Sequence, residues 1–153
     1  MRVNLNSVPG RTLVTGGSGF IGSMIIKAST SNRRALVHKE AVEGNKIDRV
    51  YGDFLSSENQ LEKWIDGVNS IIHAARPSSG NTAGRYRIAR RTRQANISMV
   101  SAVKKAKIPS TILMHGSRSY GHRGEELVQT YSILNPVGYA EAYSIGDRPW
   151  VDY

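Results

Sequence analysis

Apolar residues along the chain fall into two alternating patterns, compact runs and helically spaced stripes. The runs at Arg11–Thr15, Ala35–Val37, Val50–Phe54, Val68–Ala75 and Thr111–Met114 predict five strands. Between the first two, Ile21, Met24, Ile25 and Ala28 predict a helix over residues 19–28 with that stripe buried. Ser57 and Gln60 have the spacing of a capping box, and Leu61, Trp64 and Ile65 give the apolar face of the helix that follows. Gly67 is placed to close that helix in a left-handed conformation. Ile88, Thr92, Ala95, Met99, Val103 and Ala106 recur at three and four residues and spell one long helix. Strands alternating with helices predict right-handed crossovers and a doubly wound parallel sheet.

Polar punctuation separates these elements. Met1 to Pro9 is a polar lead-in, Pro9-Gly10 a turn, and Ser29 to Asn32 ends the first helix. Ser78-Ser79-Gly80-Asn81 links the fourth strand to the long helix. The first strand runs straight into Gly16-Gly17-Ser18-Gly19-Phe20-Ile21-Gly22, which opens the first helix. In that context the glycines have distinct uses: Gly16 permits a tight turn, Gly19 leaves room for a diphosphate, and Gly22 lets helix and strand approach. Amides at the helix start, at the positive end of the helix dipole, would face the anion. The second strand ends in His38-Lys39, with Glu40 behind. An acidic group there would accept from both ribose hydroxyls of NAD, whereas a basic one suits the 2′-phosphate of NADP. His38 and Lys39 favour NADP, and Glu40 keeps NAD open.

Composition narrows the alternatives. At 153 residues the chain is one domain long, and its 39% hydrophobic content suffices for a core. Absence of cysteine excludes disulfides and thiolate chemistry. No apolar run reaches the ~18 residues of a membrane span, and no secretory core opens the chain, so a soluble cytoplasmic protein is expected. His38, His73, His115 and His122 lack metal-ligand spacing, and no Gly-x-Ser-x-Gly elbow follows a strand. The net charge of +9 favours anionic partners. Arg85, Arg87, Arg90, Arg91 and Arg93 carry much of it, but only Tyr86 lies among them to stack on bases, so nucleic acid is not expected as a partner.

Taken together, Thr15 to Gly22, Gly52-Asp53-Phe54, Gly67 to Ala75 and Ser117-Arg118-Ser119-Tyr120-Gly121 resemble, in order and spacing, the extended short-chain dehydrogenases/reductases of the NAD-dependent epimerase/dehydratase family. The resemblance covers about residues 11 to 143. It implies a single Rossmann-like domain over 1–153 with strand order 3-2-1-4-5, ending before a sixth strand and the substrate segment. Gly16, Ser18, Gly19, Phe20, Ile21 and Gly22 would hold the pyrophosphate of NADP or NAD, and His38 and Lys39 would meet the adenosine ribose. Asp53 would accept from the adenine amino group beside Phe54, and Ala74 and Ala75 would line the nicotinamide side. Tyr139 is the implied general acid/base and Ser117 the implied substrate-orienting hydroxyl. The implied chemistry is hydride transfer at a sugar or alcohol carbon, with a nucleotide sugar as substrate; the alternative is a dinucleotide-binding protein without catalysis. Family members often pair through the long helix after the fourth strand, which leaves a homodimer open, although arginines there would oppose it.

Three positions depart from the family pattern. Tyr143 stands where a lysine follows the tyrosine by four residues, and an unassisted phenol holds its proton at neutral pH. Counting back from Tyr120 puts Gly116 at the catalytic hydroxyl, with Ser117 one place off. The helical asparagine of many members falls near Thr92, with Asn96 one turn later.

Overall fold

The computed structural model describes residues 10–29, 32–56, 59–77, 80–129 and 131–153. The Met1–Pro9 lead-in, Ser57 of the expected capping box, and Ser78-Ser79 of the expected link lie outside the described residues. Five parallel strands, β1 (Arg11–Thr15), β2 (Arg33–Val37), β3 (Ile47–Tyr51), β4 (Val68–His73) and β5 (Ser110–Leu113), form one sheet in the order β3-β2-β1-β4-β5. The helices are α1 (Phe20–Ala28), α2 (Leu61–Ile65), α3 (Thr82–Ala106) and α4 (Tyr139–Val151). This is the expected doubly wound, Rossmann-like architecture.

The chain separates into two compact units. Met1–Arg76 with Ser98–Met114 carry the sheet, and Pro77–Ile97 with His115–Tyr153 form the second.

In the first unit, Val14, Ala35 and Val37 pack with Ile26 of α1 and with Val42 and Ile47 in one buried cluster. The face of α1 differs from the expected stripe: Gly22 and Ile26 are buried, while Ile21, Met24 and Ala28 are exposed. The reason is steric. A Cβ on Gly22 would meet the Gly16 carbonyl oxygen at 2.1 Å, so the helix turns its one bare position toward the turn and the apolar stripe rotates with it. Strand β3 starts three residues before the expected run, and Phe54 falls in a 3₁₀ turn over Phe54–Ser56. Leu61, Trp64 and Ile65 are buried as expected, and Gly67 has φ +66° after α2.

Arg34, in mid-sheet, is buried because its charge is consumed. Its Nε and Nη2 each lie 2.8 Å from Asp48 Oδ2, and Nη1 donates to the carbonyls of Trp64 and Asp66 at 2.9 and 2.8 Å. Those carbonyls end α2 and would otherwise be orphaned.

In the second unit, α3 starts at Asn81, whose side-chain oxygen accepts from Gly84 N at 2.7 Å. This is an N-cap on the third helical amide, where the sequence reading placed only a link. Thr92 and Ala95 are buried as expected, whereas Arg87, Arg90, Arg91 and Arg93 are exposed off that stripe. Helix α4 packs on this part of α3 through buried Asn96, which accepts from Trp150 Nε1 and donates to the Gly146 carbonyl, both at 2.8 Å. Thr92 fills the space a Gly146 Cβ would need, its Cγ2 lying 3.0 Å from that point.

Candidate functional site

The turn after β1 is built by backbone proximity. Gly16 has φ +71°, and a Cβ there would meet the backbone of Ala74 and Ala75 at 2.7–2.8 Å. Ala74 N donates to Thr15 O at 3.2 Å, joining the ends of β1 and β4 beneath the turn. Gly19 N donates to Gly16 O at 3.0 Å and Ser23 N to Gly19 O at 2.9 Å. Neither bond uses the amides of Phe20, Ile21 or Gly22, the first three of α1, which have no intrahelical acceptor.

The three glycines of the motif are therefore bare for different reasons. Gly16 and Gly22 are explained by contacts within the protein. At Gly19 a Cβ would meet only the Gly16 oxygen, at 3.2 Å, and the surface beyond is open. Ser18, Gly19 and Phe20 are exposed, Phe20 by 86%. A bare, exposed backbone beside amides without intrahelical acceptors, at the positive end of a helix, suits a diphosphate, so the residues present fit a dinucleotide.

Below the turn, His73 is buried and its Nδ1 lies 2.8 Å from Thr15 Oγ1, which in turn accepts from Ala75 N at 3.3 Å. Burial, helped by the charge of Arg76, lowers the His73 pKa from 6.5 to about 3, so the ring is neutral. Phe54 packs against it with the rings tilted by 51° and their centroids 4.9 Å apart, its side chain buried. Only the backbone of Phe54 is therefore left to meet an adenine. Asp53 is half-buried and its carboxylate already accepts from Leu55 N at 2.9 Å, with lone pairs to spare. His38, Lys39 and Glu40 are exposed at the end of β2, the point in such folds that faces the adenosine ribose.

Ser117 and Tyr139 both lie in the second unit. Ser117 is exposed at the start of a 3₁₀ turn over Ser117–Tyr120. That turn is tied to the segment before α4 by Asn135 N to Ser119 O at 2.9 Å and Val137 N to Arg118 O at 3.3 Å. Tyr139 is the first residue of α4, which Glu141 caps by accepting from Gly138 N at 3.1 Å. The Arg118 guanidinium stands 5.2 Å from the Tyr139 ring centroid, and Tyr143 meets it edge-on at 5.6 Å.

Two arrangements were not foreseen from the sequence. Asn96, noted only as one turn beyond the family's asparagine position, is enclosed between α3 and α4 and bonds both the Gly146 carbonyl and Trp150. His115 Nδ1 lies 3.5 Å from the buried Asp147 Oδ2, beside a cavity of about 110 Å³ lined by Ser119 and Ser144. No spacing rule joins residues so far apart in sequence. Among the described residues, no group of three or more His, Cys, Asp or Glu could hold a metal, and no helix is long and apolar enough to cross a membrane.

An all-parallel sheet in this order, with a bare turn leading from its first strand into a helix, defines the Rossmann-like dinucleotide-fold class. The chain belongs to the NAD dependent epimerase/dehydratase family, whose sequence model matches residues 12–146. Solved structures agree in fold. Against dTDP-glucose 4,6-dehydratase DesIV from Streptomyces venezuelae, solved with NAD, the chain has 21% identity and a TM-score of 0.75, covering 94% of this chain and 51% of that one. Against UDP-glucuronic acid 4-epimerase from Bacillus cereus, also with NAD, the values are 18%, 0.73, 94% and 52%. Against WbmH from Bordetella bronchiseptica, with NAD+, they are 16%, 0.72, 94% and 52%. The chain thus spans about half the length of these structures. A search of the curated proteins finds no match.

Proposed function

We propose that this chain binds a nicotinamide dinucleotide across the β1–α1 turn and serves hydride transfer at a carbon of a nucleotide sugar or related alcohol. The observation that carries the reading is the exposed backbone at Gly19, where a Cβ would meet the Gly16 oxygen at 3.2 Å and otherwise face open space. Gly16, Ser18, Gly19, Phe20, Ile21 and Gly22 hold the pyrophosphate through first-turn amides. Asp53 and the Phe54 backbone take the adenine edge. His38 and Lys39 face the ribose and favour a 2′-phosphate. Ala74 and Ala75, with small side chains, flank the nicotinamide half. Neutral His73 fixes Thr15, and through it the amide of Ala75, without placing a charge beneath the cofactor.

The nicotinamide supplies hydride transfer when bound. On the substrate side, Tyr139 exchanges the hydroxyl proton and Ser117 orients the oxygen. Arg118 supplies a cation over the Tyr139 ring, in the place of the lysine that Tyr143 replaces. The nucleotide-sugar assignment draws on family membership and on relatives such as the dTDP-glucose dehydratase.

Titration calorimetry with NADH and NADPH tests the binding. Saturable binding of at least one, lost in Gly19→Val, is expected. Absence of heat for both at millimolar concentration overturns the reading.

A further inference from the structure

Between β2 and β3 the chain makes a parallel crossover, which ordinarily takes a dozen residues or more and a helix. Here residues 38–46 do it with no helix. The register is nonetheless fixed, Ala35 lying beside Arg49 and Val37 beside Tyr51. Burial of Val42 in the cluster under α1 supplies one anchor. The backbone turns sharply here: Gly44, with φ +136°, is free to do so, but Lys46 holds φ +56° despite carrying a side chain.

The second anchor is Arg49. Its Nε and Nη2 both donate to the Val42 carbonyl, at 3.1 and 2.9 Å; Nη2 also reaches Gly44 O at 3.0 Å, and Nη1 reaches Ile47 O at 3.2 Å. One planar fork thus binds two loop carbonyls, which a crossover helix would have satisfied internally, together with the carbonyl that opens β3. A lysine, with a compact ammonium, cannot span them together. The clamped loop carries His38, Lys39 and Glu40 at its start.

We propose that Arg49 is a positioning residue for the adenosine end of the dinucleotide site: by clamping residues 42–47 it sets how His38, Lys39 and Glu40 are presented, and so selects between a bare ribose and a 2′-phosphate. This rests on the reading that the β1–α1 turn binds a dinucleotide. Arg49 needs no contact with the cofactor, because the loop transmits its effect.

The test uses the full chain with Arg49→Met and Arg49→Lys, each titrated with NADPH, NADH and reduced nicotinamide mononucleotide, which lacks the adenosine half. In both variants NADPH affinity should fall about tenfold, and the ratio of NADPH to NADH affinity should move toward one, while the mononucleotide is unaffected. Equal losses for all three probes, or none, overturn the proposal while leaving dinucleotide binding intact. So does failure of both variants to fold, since the residue's part is then structural only. Wild-type chain that binds no dinucleotide overturns the earlier reading, and this one with it.

Discussion

The turn at the end of β1 and the start of α4 are both helix N-termini led by glycine, yet they are made differently. At the first, backbone crowds backbone: Gly16 lies against Ala74 and Ala75, Gly22 against Gly16, and the first-turn amides have no acceptor in the helix. At the second, side chains close the end. Glu141 caps Gly138, Arg118 and Tyr143 flank Tyr139, and Asn96 locks the helix to α3. A helix start with spare amides is equipped to receive an anion; at α4 the amides of Gly138, Ala140 and Glu141 already have acceptors in the Glu141 carboxylate and the carbonyls of Val137 and Gly138. The binding and proton-transfer roles proposed for these two ends are therefore separable, and substitutions should separate them.

The largest effect is expected at the crowded turn. Gly22→Ala drives a methyl to 2.1 Å from the Gly16 oxygen, and neither backbone can yield without parting α1 from β1. A loss of about 3 kcal/mol or more in urea unfolding is expected, with helical content reduced. A wild-type-like midpoint would show the turn to be looser than its contacts imply.

Acid should reveal the same turn through His73. Its folded pKa of about 3 lies below the ordinary 6.5, so the unfolded chain takes up a proton that the folded chain refuses. The stability contribution is complete above pH 6.5 and falls as pH drops toward 3, by up to about 1.4 kcal/mol per unit. His73→Asn should flatten that part of the curve in melts at pH 7, 6 and 5. An unchanged slope would place the acid sensitivity elsewhere.

How far the sequence revealed this follows from locality. The glycine turn, the five strands and the faces of α2 and α3 depend on residues within a few positions of one another, and period and glycine spacing display them. The face of α1 was misread by about one residue because the contact that rotates it, Gly22 against Gly16, crosses the turn. The start of β3 was missed because Asp48 and Arg49 interrupt its apolar pattern, the one paired to Arg34 and the other clamping the preceding loop. The roles of Asn96, Arg118 and the His115–Asp147 pair depend on partners distant in sequence, or on a rotamer, and no spacing encodes them.

Within the turn itself, Gly19 and Gly22 should part company. Gly19→Ala meets only the Gly16 oxygen at 3.2 Å, which costs little stability, so the midpoint should shift by no more than about 1 kcal/mol. Its methyl stands where the pyrophosphate would lie, so NADH affinity should fall at least about tenfold by calorimetry. Equal losses of stability at Gly19 and Gly22 would mean that both serve packing alone.

The smallest effect is expected where the second helix start departs from its family. A Cβ at Gly116 meets nothing within 4 Å, and its φ of −84° suits any residue. As the N-cap of the 3₁₀ turn it should accept serine with a change of only a few tenths of a kcal/mol. Tyr143 is half-buried, and its edge-on contact with Tyr139 is worth about 1 kcal/mol, which a lysine would forgo. The double variant Gly116→Ser/Tyr143→Lys should therefore keep its melting curve within about 1–2 kcal/mol of wild type and its NADH affinity within about twofold. With binding held constant, any nucleotide-sugar oxidation it gains, followed at 340 nm with a dTDP- or UDP-hexose, belongs to the restored hydroxyl and cation. A drop in NADH affinity would instead couple the two helix starts, and the contrast between them would no longer stand.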